Sequence, residues 1–246
     1  AGGPRAGELL ALKVMQKRSL VARGAIDLAR VEREVLAVVR HHPFLVGLCY
    51  AFQSKTRLYL VTEYFEGGPL DRALAERGVL PPSEARSVAS QLTLAIEHLH
   101  ARGVIHRDIK PANVLFDAAG AAHLADYGLA AYCDDASKRA SFAGTVEYVA
   151  PELFLKSAVA NGYTPAVDWW SLGVLTYEML TGATPFRAKS PRDLFRNVLH
   201  KPLDFLSPKS SRVSSLSSSS SSSSLNDDPC DDDDDDDADD DDGKCV

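Results

Sequence analysis

His106-Arg107-Asp108-Ile109-Lys110-Pro111-Ala112-Asn113 is the stretch on which the fold turns. It sets a carboxylate, an ammonium and a carboxamide on one short segment, after a long amphipathic pattern and before a short hairpin pattern. Working outward, Ala11-Leu12-Lys13 stands upstream, and Asp126-Tyr127-Gly128 and Ala150-Pro151-Glu152 follow downstream. A three-residue string recurs by chance; four motifs in a fixed order and spacing are hard to reach that way.

The flanks predict how these motifs are carried. Residues 83–103 read as the best helix of the chain, with Ser83 as N-cap after Pro81-Pro82 and Gly103 as its stop. Val88, Leu92, Ala95, Ile96 and Leu99 form its apolar stripe, so it is scaffold. Strands over 114–116 and 121–124, joined by Asp117-Ala118-Ala119-Gly120, form a hairpin that brings Asn113 near Asp126. Residues 9–15 read as a strand with one lysine in it, Lys13. Standing alone, that lysine would be a solvated edge residue.

A helix over 26–39 carries Glu32 and Glu34, either of which in isolation is a surface charge in an i,i+4 pair. Strands over 48–53 and 58–64 lead to the turn Glu66-Gly67-Gly68-Pro69, a natural lobe boundary. A helix over 165–180 contains Asp168-Trp169-Trp170 and is too apolar in its middle for a surface helix. A carboxylate there must be satisfied. A further helix opens at Ser190-Pro191-Arg192-Asp193 and fades near His200.

Charge divides the chain. The formal net is -7, but residues 227–246 hold thirteen Asp and one Lys, which leaves +5 on residues 1–226. So small a surplus, with no aromatic-interleaved basic run, argues against nucleic acid. Cys49, Cys133, Cys230 and Cys245 form neither a C-x-x-C pair nor a dense disulfide framework, so a reducing compartment is expected. No apolar run approaches the ~20 residues of a membrane span. The expectation is a soluble monomer in the cytoplasm, with the nucleus as the alternative. Past Phe205 no aromatic residue occurs, and the serine run and the Asp-rich run predict a disordered tail over 206–246.

The four motifs resemble the eukaryotic protein kinases, over about residues 7 to 205. Lys110, together with Gly144-Thr145-Val146-Glu147-Tyr148, is similar to the Ser/Thr rather than the Tyr kinases. Phe44-Leu45-Val46-Gly47-Leu48 and the stretch from Ser141 to Tyr148 resemble the AGC group, kin of the cyclic-nucleotide-dependent kinases. The resemblance implies an α+β, two-lobed fold: an incomplete β-rich N-lobe over about 1–64, a hinge near 63–68 and a mostly helical C-lobe over 69–205. It implies ATP and Mg²⁺ as cofactors and protein Ser/Thr hydroxyls as acceptors.

Site roles follow from the same resemblance. Asp108 would accept the acceptor's proton and Lys110 would hold the γ-phosphate. Asn113 and Asp126 would hold the metal. Lys13, oriented by Glu32 with Glu34 as second choice, would hold the α- and β-phosphates. Glu63 and Phe65 through backbone groups, with Leu115, would bind the nucleotide, and Thr62 would guard the back of the adenine pocket. Ser141 would take an activating phosphate from an upstream kinase, with Arg107 as its basic partner. Asp168 would accept N–H bonds from the catalytic loop, and His106 would pack under Tyr127, whose hydroxyl needs a partner if buried.

Departures from the family pattern bear on activity and specificity. A glycine-rich phosphate loop is not found in the twelve residues before Lys13, and no later helix offers an Arg partner for Glu152. The expectation is a truncated or mis-assembled product with a half-open nucleotide site. The competing reading is a pseudokinase-like binding module; an acidic, histone-chaperone-like role leaves the first 205 residues unexplained. Where basophilic relatives carry acids that read upstream arginines, this chain has Pro69, Ala112 and Arg196, which predicts indifference to such arginines.

Overall fold

A computed structural model of the chain describes residues 7–133, 144–154 and 164–204. All belong to one unit, which spans residues 1–211. Strand β3 (Arg57–Glu63) is the centre of a three-stranded antiparallel sheet, with β1 (Leu10–Gln16) on one side and β2 (Leu48–Gln53) on the other. The register sets Lys13 opposite Leu60 and Ala11 opposite Thr62. After the short helix α1 (Lys17–Ala22), α2 (Ile26–Val39) packs on β2 through Val31, Val35, Leu36 and Val39. Glu32 sits within that buried stripe.

Past α2 the chain turns back at Gly47, where an added Cβ would fall 2.4 Å from the Cα of Arg40. Only glycine allows that crossing. The segment between them forms a parallel bridge, Leu45 with Leu124, that ties the N-terminal sheet region to the helical part. That part contains β4 (Gly68–Pro69), α3 (Leu70–Arg77), α4 (Pro82–His100), β5 (Val104–Ile105), β6 (Val114–Phe116), β7 (Ala122–Leu124) and β8 (Ala131–Tyr132). Strands β4, β6 and β7 form one antiparallel sheet, and β5 pairs with β8. The result is an α+β fold with a small β-rich lobe and a mostly helical one.

Helix α4 buries Val88, Leu92, Ala95, Ile96 and Leu99, the stripe expected for it. Its start differs from the expectation: Pro81 is the N-cap, no side chain caps the helix, and Ser83 lies inside the first turn. Pro82 has no N–H to satisfy there, so the helix starts without a capping hydroxyl. Helix α5 (Ala166–Thr181) lies against α4, buries Val167, Leu172, Val174, Leu175 and Met179, and stops at Gly182 in the left-handed region. Leu92, Ile96, Leu99, Leu175 and Met179 are wholly or almost wholly buried, each worth roughly 1.5–3 kcal/mol of transfer free energy. Helix α6 (Pro191–His200) opens as expected, with Ser190 Oγ accepting the N–H of Asp193 at 3.1 Å. Among the described residues, no helix is long and apolar enough to cross a membrane.

Candidate active site

The loop from His106 to Asn113 is built outward from a buried acid. Asp168 on α5 is fully buried; its Oδ2 accepts the N–H of His106 at 2.9 Å and its Oδ1 that of Arg107 at 2.8 Å. His100 Nε2, at the end of α4, lies 2.8 Å from the same Oδ2. One carboxylate thus fastens two successive peptides of the loop to both scaffold helices. Arg107 takes φ 68, an uncommon conformation for a residue with a side chain. Its pinned N–H, and its Nε donating to Leu129 O at 2.6 Å, hold it there.

His106 is fully buried and meets Tyr127 edge-on, with ring centroids 5.5 Å apart. Its Nε2 donates to Ala125 O at 3.2 Å and its Nδ1 accepts the N–H of Asp108 at 3.3 Å. Those roles fit only a neutral imidazole, and burial lowers its pKa to match.

Asp108 is the most connected side chain of the loop. Its Oδ2 accepts from Lys110 Nζ at 2.7 Å and Asn113 Nδ2 at 3.0 Å, while its Oδ1 accepts from the N–H and hydroxyl of Thr145 at 3.2 and 3.1 Å. Lys110 also donates to Thr145 Oγ1 at 3.0 Å. Asn113 Nδ2 reaches the Asp108 carbonyl as well, at 2.8 Å, so the carboxamide is fixed in orientation. Gly144, at φ 105, lets Thr145 come this close: a Cβ there would fall 2.7 Å from the carbonyl oxygen of Arg107.

Across the site Lys13 Nζ sits 2.5 Å from Glu32 Oε1 and 2.8 Å from Asp126 Oδ1. Glu34 instead points at Arg33, 3.7 Å away. Burial alone would lower the pKa of Lys13, but the two carboxylates outweigh it and hold the ammonium above its usual range. Burial lifts Glu32, with Lys13 pulling it back only in part; at Asp126 the pull of Lys13 wins over burial and the carboxyl lies below its usual range. Asp126 also takes a left-handed φ of 62. Gly128 follows it, and a Cβ there would press to 3.2 Å on Asp126 Oδ1.

Phe65 and Leu115 come together in a small apolar cluster with Val46 and Ala125, and the Phe65 ring lies 4.4 Å from that of His123. Leu115 pairs across the sheet with Pro69 and His123. Glu63 is at the exposed end of β3, opposite Leu10, and the Thr62 hydroxyl donates to its carbonyl at 3.3 Å. Ser141 lies outside the described residues. His100 and Glu178 are site-side residues that the sequence did not single out, and Thr145 stood out only within the stretch from Gly144 to Tyr148, with no role of its own. The Tyr148 hydroxyl donates to Glu178 Oε2, and burial together with neighbouring Glu147 raises the pKa of that acid. Nothing local in the sequence marks Glu178, because its partner lies thirty residues away.

A base-like carboxylate, a lysine beside it, and a second lysine held between two acids, on a two-lobed fold, form an arrangement that phosphoryl transfer can use. Residues 4–231 match the protein kinase domain family. The chain is 42% identical over 198 residues to ribosomal protein S6 kinase alpha-6 of Danio rerio, covering 80% of this chain and 26% of that protein. It is 40% identical over 215 residues to ribosomal protein S6 kinase alpha-2 of Mus musculus, covering 87% and 28%. With ribosomal protein S6 kinase alpha-4 of Homo sapiens it shares 40% identity over 220 residues, 88% and 28% of the two chains. The chain thus spans about a quarter of the length of the curated relatives it matches. It belongs to the protein kinase domain family, as a serine/threonine kinase domain of the AGC group.

Proposed function

We propose that the chain transfers the γ-phosphate of ATP to a serine or threonine hydroxyl of a protein substrate. The observation that carries this is the Asp108 carboxylate, held by Lys110, Asn113 and Thr145 in one buried-edge network. A carboxylate fixed in that way can orient an incoming hydroxyl and take its proton, while Lys110 keeps positive charge beside the acceptor. Lys13, steadied by Glu32, offers an ammonium to the other phosphates. Phe65 and Leu115 supply an apolar surface for the base, and backbone groups near Glu63 supply its polar edge.

The donor set fits a hard cation. Among the described residues no group of three His, Cys, Asp or Glu suits a metal; Mg²⁺ in phosphate sites asks for only one or two protein oxygens beside phosphates and water. Asn113 and Asp126 supply them, and the Asp126 side chain is 49% exposed, so it can exchange Lys13 for a cation. Bound Mg²⁺ would neutralise charge on the phosphate oxygens. Among the described residues, nothing favours a binding module that has left catalysis.

Incubation with radiolabelled ATP, Mg²⁺ and candidate proteins tests the reading, with ribosomal protein S6, after which the relatives are named, as the first substrate. Label on serine or threonine is expected. No transfer, and no thermal shift at millimolar ATP and Mg²⁺, would sink it.

Regulation and specificity extend the proposal. Ser141 is the proposed site of an activating phosphate from an upstream kinase; Ser141→Ala with unchanged activity would refute it. Pro69 and Ala112 offer no acid to an upstream arginine, but Arg196 is paired with Asp193 on the exposed face of α6, and Glu178 with Glu147 adds carboxylates beside Tyr148. The indifference to arginine is therefore narrowed to the positions Pro69 and Ala112 would face. A positional peptide library should show selection for at most one upstream arginine, lost in Glu178→Gln. We also propose residues 1–205 as the catalytic body and 206–246 as an appended tail, in a cytoplasmic or nuclear monomer. Limited proteolysis, cell fractionation and light scattering test those placements.

A further inference from the structure

We propose that the Tyr127 hydroxyl is a positioning group that locks the Asp126 turn to the segment leading out of α2, and so keeps both carboxylate partners of Lys13 in register. The proposal rests on the kinase reading of the site. Tyr127 is fully buried, and its hydroxyl lies 3.2 Å from Val46 O and 3.1 Å from Leu124 O. Burial pushes the phenol far up in pKa, so it remains a donor at every working pH.

The two acceptors are the carbonyls at one end of the Leu45–Leu124 bridge. Leu124 N donates to Phe44 O at 3.0 Å, and Val46 N donates to Leu124 O at 2.9 Å. Among the described residues the bridge has no further backbone rung beyond Val46 N, and the single phenolic proton, shared between the two oxygens, supplies one. On one side of this clip the chain runs back from Val46 through Leu45 and Arg40 to α2, which carries Glu32. On the other it passes at once to Asp126, in its left-handed conformation. A conformation of that kind persists where its surroundings over-determine it; β7 fixes one flank of Asp126 and the anchored Tyr127 ring the other.

Phenylalanine would fill the same space and keep the edge-on contact with His106, but it has no proton for the clip. The full chain with Tyr127→Phe is compared with the wild type by amide hydrogen exchange without nucleotide. Exchange of peptides over residues 124–130 and 40–48 should quicken about five-fold, the share of one buried hydrogen bond, while α4 is unchanged. The KM for ATP should rise by about the same factor with kcat little altered, since the clip sets where the phosphate ligands stand and does not touch the acceptor. Unchanged exchange in both peptides overturns the proposal. So does faster exchange spread evenly over the protein, which would make the hydroxyl a general stabiliser. If neither protein transfers phosphate, the kinase reading fails, and the exchange result still decides the clip.

Discussion

The segment from His106 to Asn113 and the group of Lys13, Glu32 and Asp126 are both charged and both belong to the proposed phosphoryl-transfer site, yet they are held differently. Asp108 and Asn113 are 8% and 6% exposed and their side chains find partners within the loop or in Thr145, while the N–H groups of His106 and Arg107 are held by Asp168. The side chains of Lys13 and Asp126 are 45% and 49% exposed and hold mostly each other, with Glu32 as the buried anchor. The loop is set before a ligand arrives, because releasing any one bond strands a buried group. The lysine side is set only in part, since an exposed ion pair is worth roughly 0–1 kcal/mol and exchanges readily for another charge.

The largest expected effect falls on the loop. Asp108→Asn keeps the shape and, through its one remaining oxygen, two of the four accepted hydrogen bonds, but removes the proton acceptor, so kcat should fall roughly 10²- to 10⁴-fold. Nucleotide binding, read by thermal shift, should hardly change. If binding falls with kcat, the loop is not independent of the lysine side and the contrast breaks down.

Asp168→Ala is the structural counterpart. It strands the N–H groups of His106 and Arg107 and a half-buried His100, so unfolding free energy should drop by about 3 kcal/mol or more. Urea unfolding measures it. A loss under 1 kcal/mol, on the scale of an exposed pair, would mean that water readily replaces the carboxylate and that the loop is no better fixed than Lys13.

Glu32→Gln probes the other region. Removing a buried charge whose partner is half-exposed should leave stability within about 1 kcal/mol. The affinity for ATP should fall about tenfold, because Lys13 loses the anchor that aims it. Glu34→Gln is the control: paired with Arg33 at 3.7 Å and not with Lys13, it should change neither. Equal effects of the two would dissolve the distinction between anchor and surface charge.

The same contrast explains what the sequence made legible. Helix α2 spans residues 26–39 and strand β2 residues 48–53, as their periodicity predicts, and α4 shows the stripe from Val88 to Leu99. These elements bury one face, and burial writes a period into the chain. Helices α1 and α3 were invisible because α1 buries no residue and α3 buries only Leu70. Within the site, the charged residues of the loop are close in sequence and stood out together. Choosing Glu32 over Glu34 needed the family resemblance, since each has Arg33 on one side and a valine on the other. His100, Thr145 and Glu178 meet their partners across 68, 37 and 30 residues, and no local pattern records contacts of that kind.

The smallest expected effect uses protons to test how dry the loop is. His106 donates through Nε2 and accepts through Nδ1, so a second proton on Nδ1 would face the N–H of Asp108. Burial already lowers its pKa, so the folded protein resists a proton that the unfolded chain takes up near pH 6.5. More protons on the unfolded state mean that stability rises with pH there. The contribution is whole above about pH 6.5 and is lost as pH falls below it toward the folded pKa. His42 and His98, whose rings lie 4.4 Å apart with Arg102 nearby, are lowered by burial and add the same sign. Glu32 and Glu178, raised by burial, work in the opposite direction at lower pH. The wild type alone therefore shows only a sum. His106→Gln keeps a donor and an acceptor but cannot titrate, so between pH 6.5 and 5.5 its urea midpoint should drop less, by about 1 kcal/mol in free energy. Parallel curves for the two proteins would show that His106 takes a proton while folded, and that water reaches the loop as freely as it reaches Lys13.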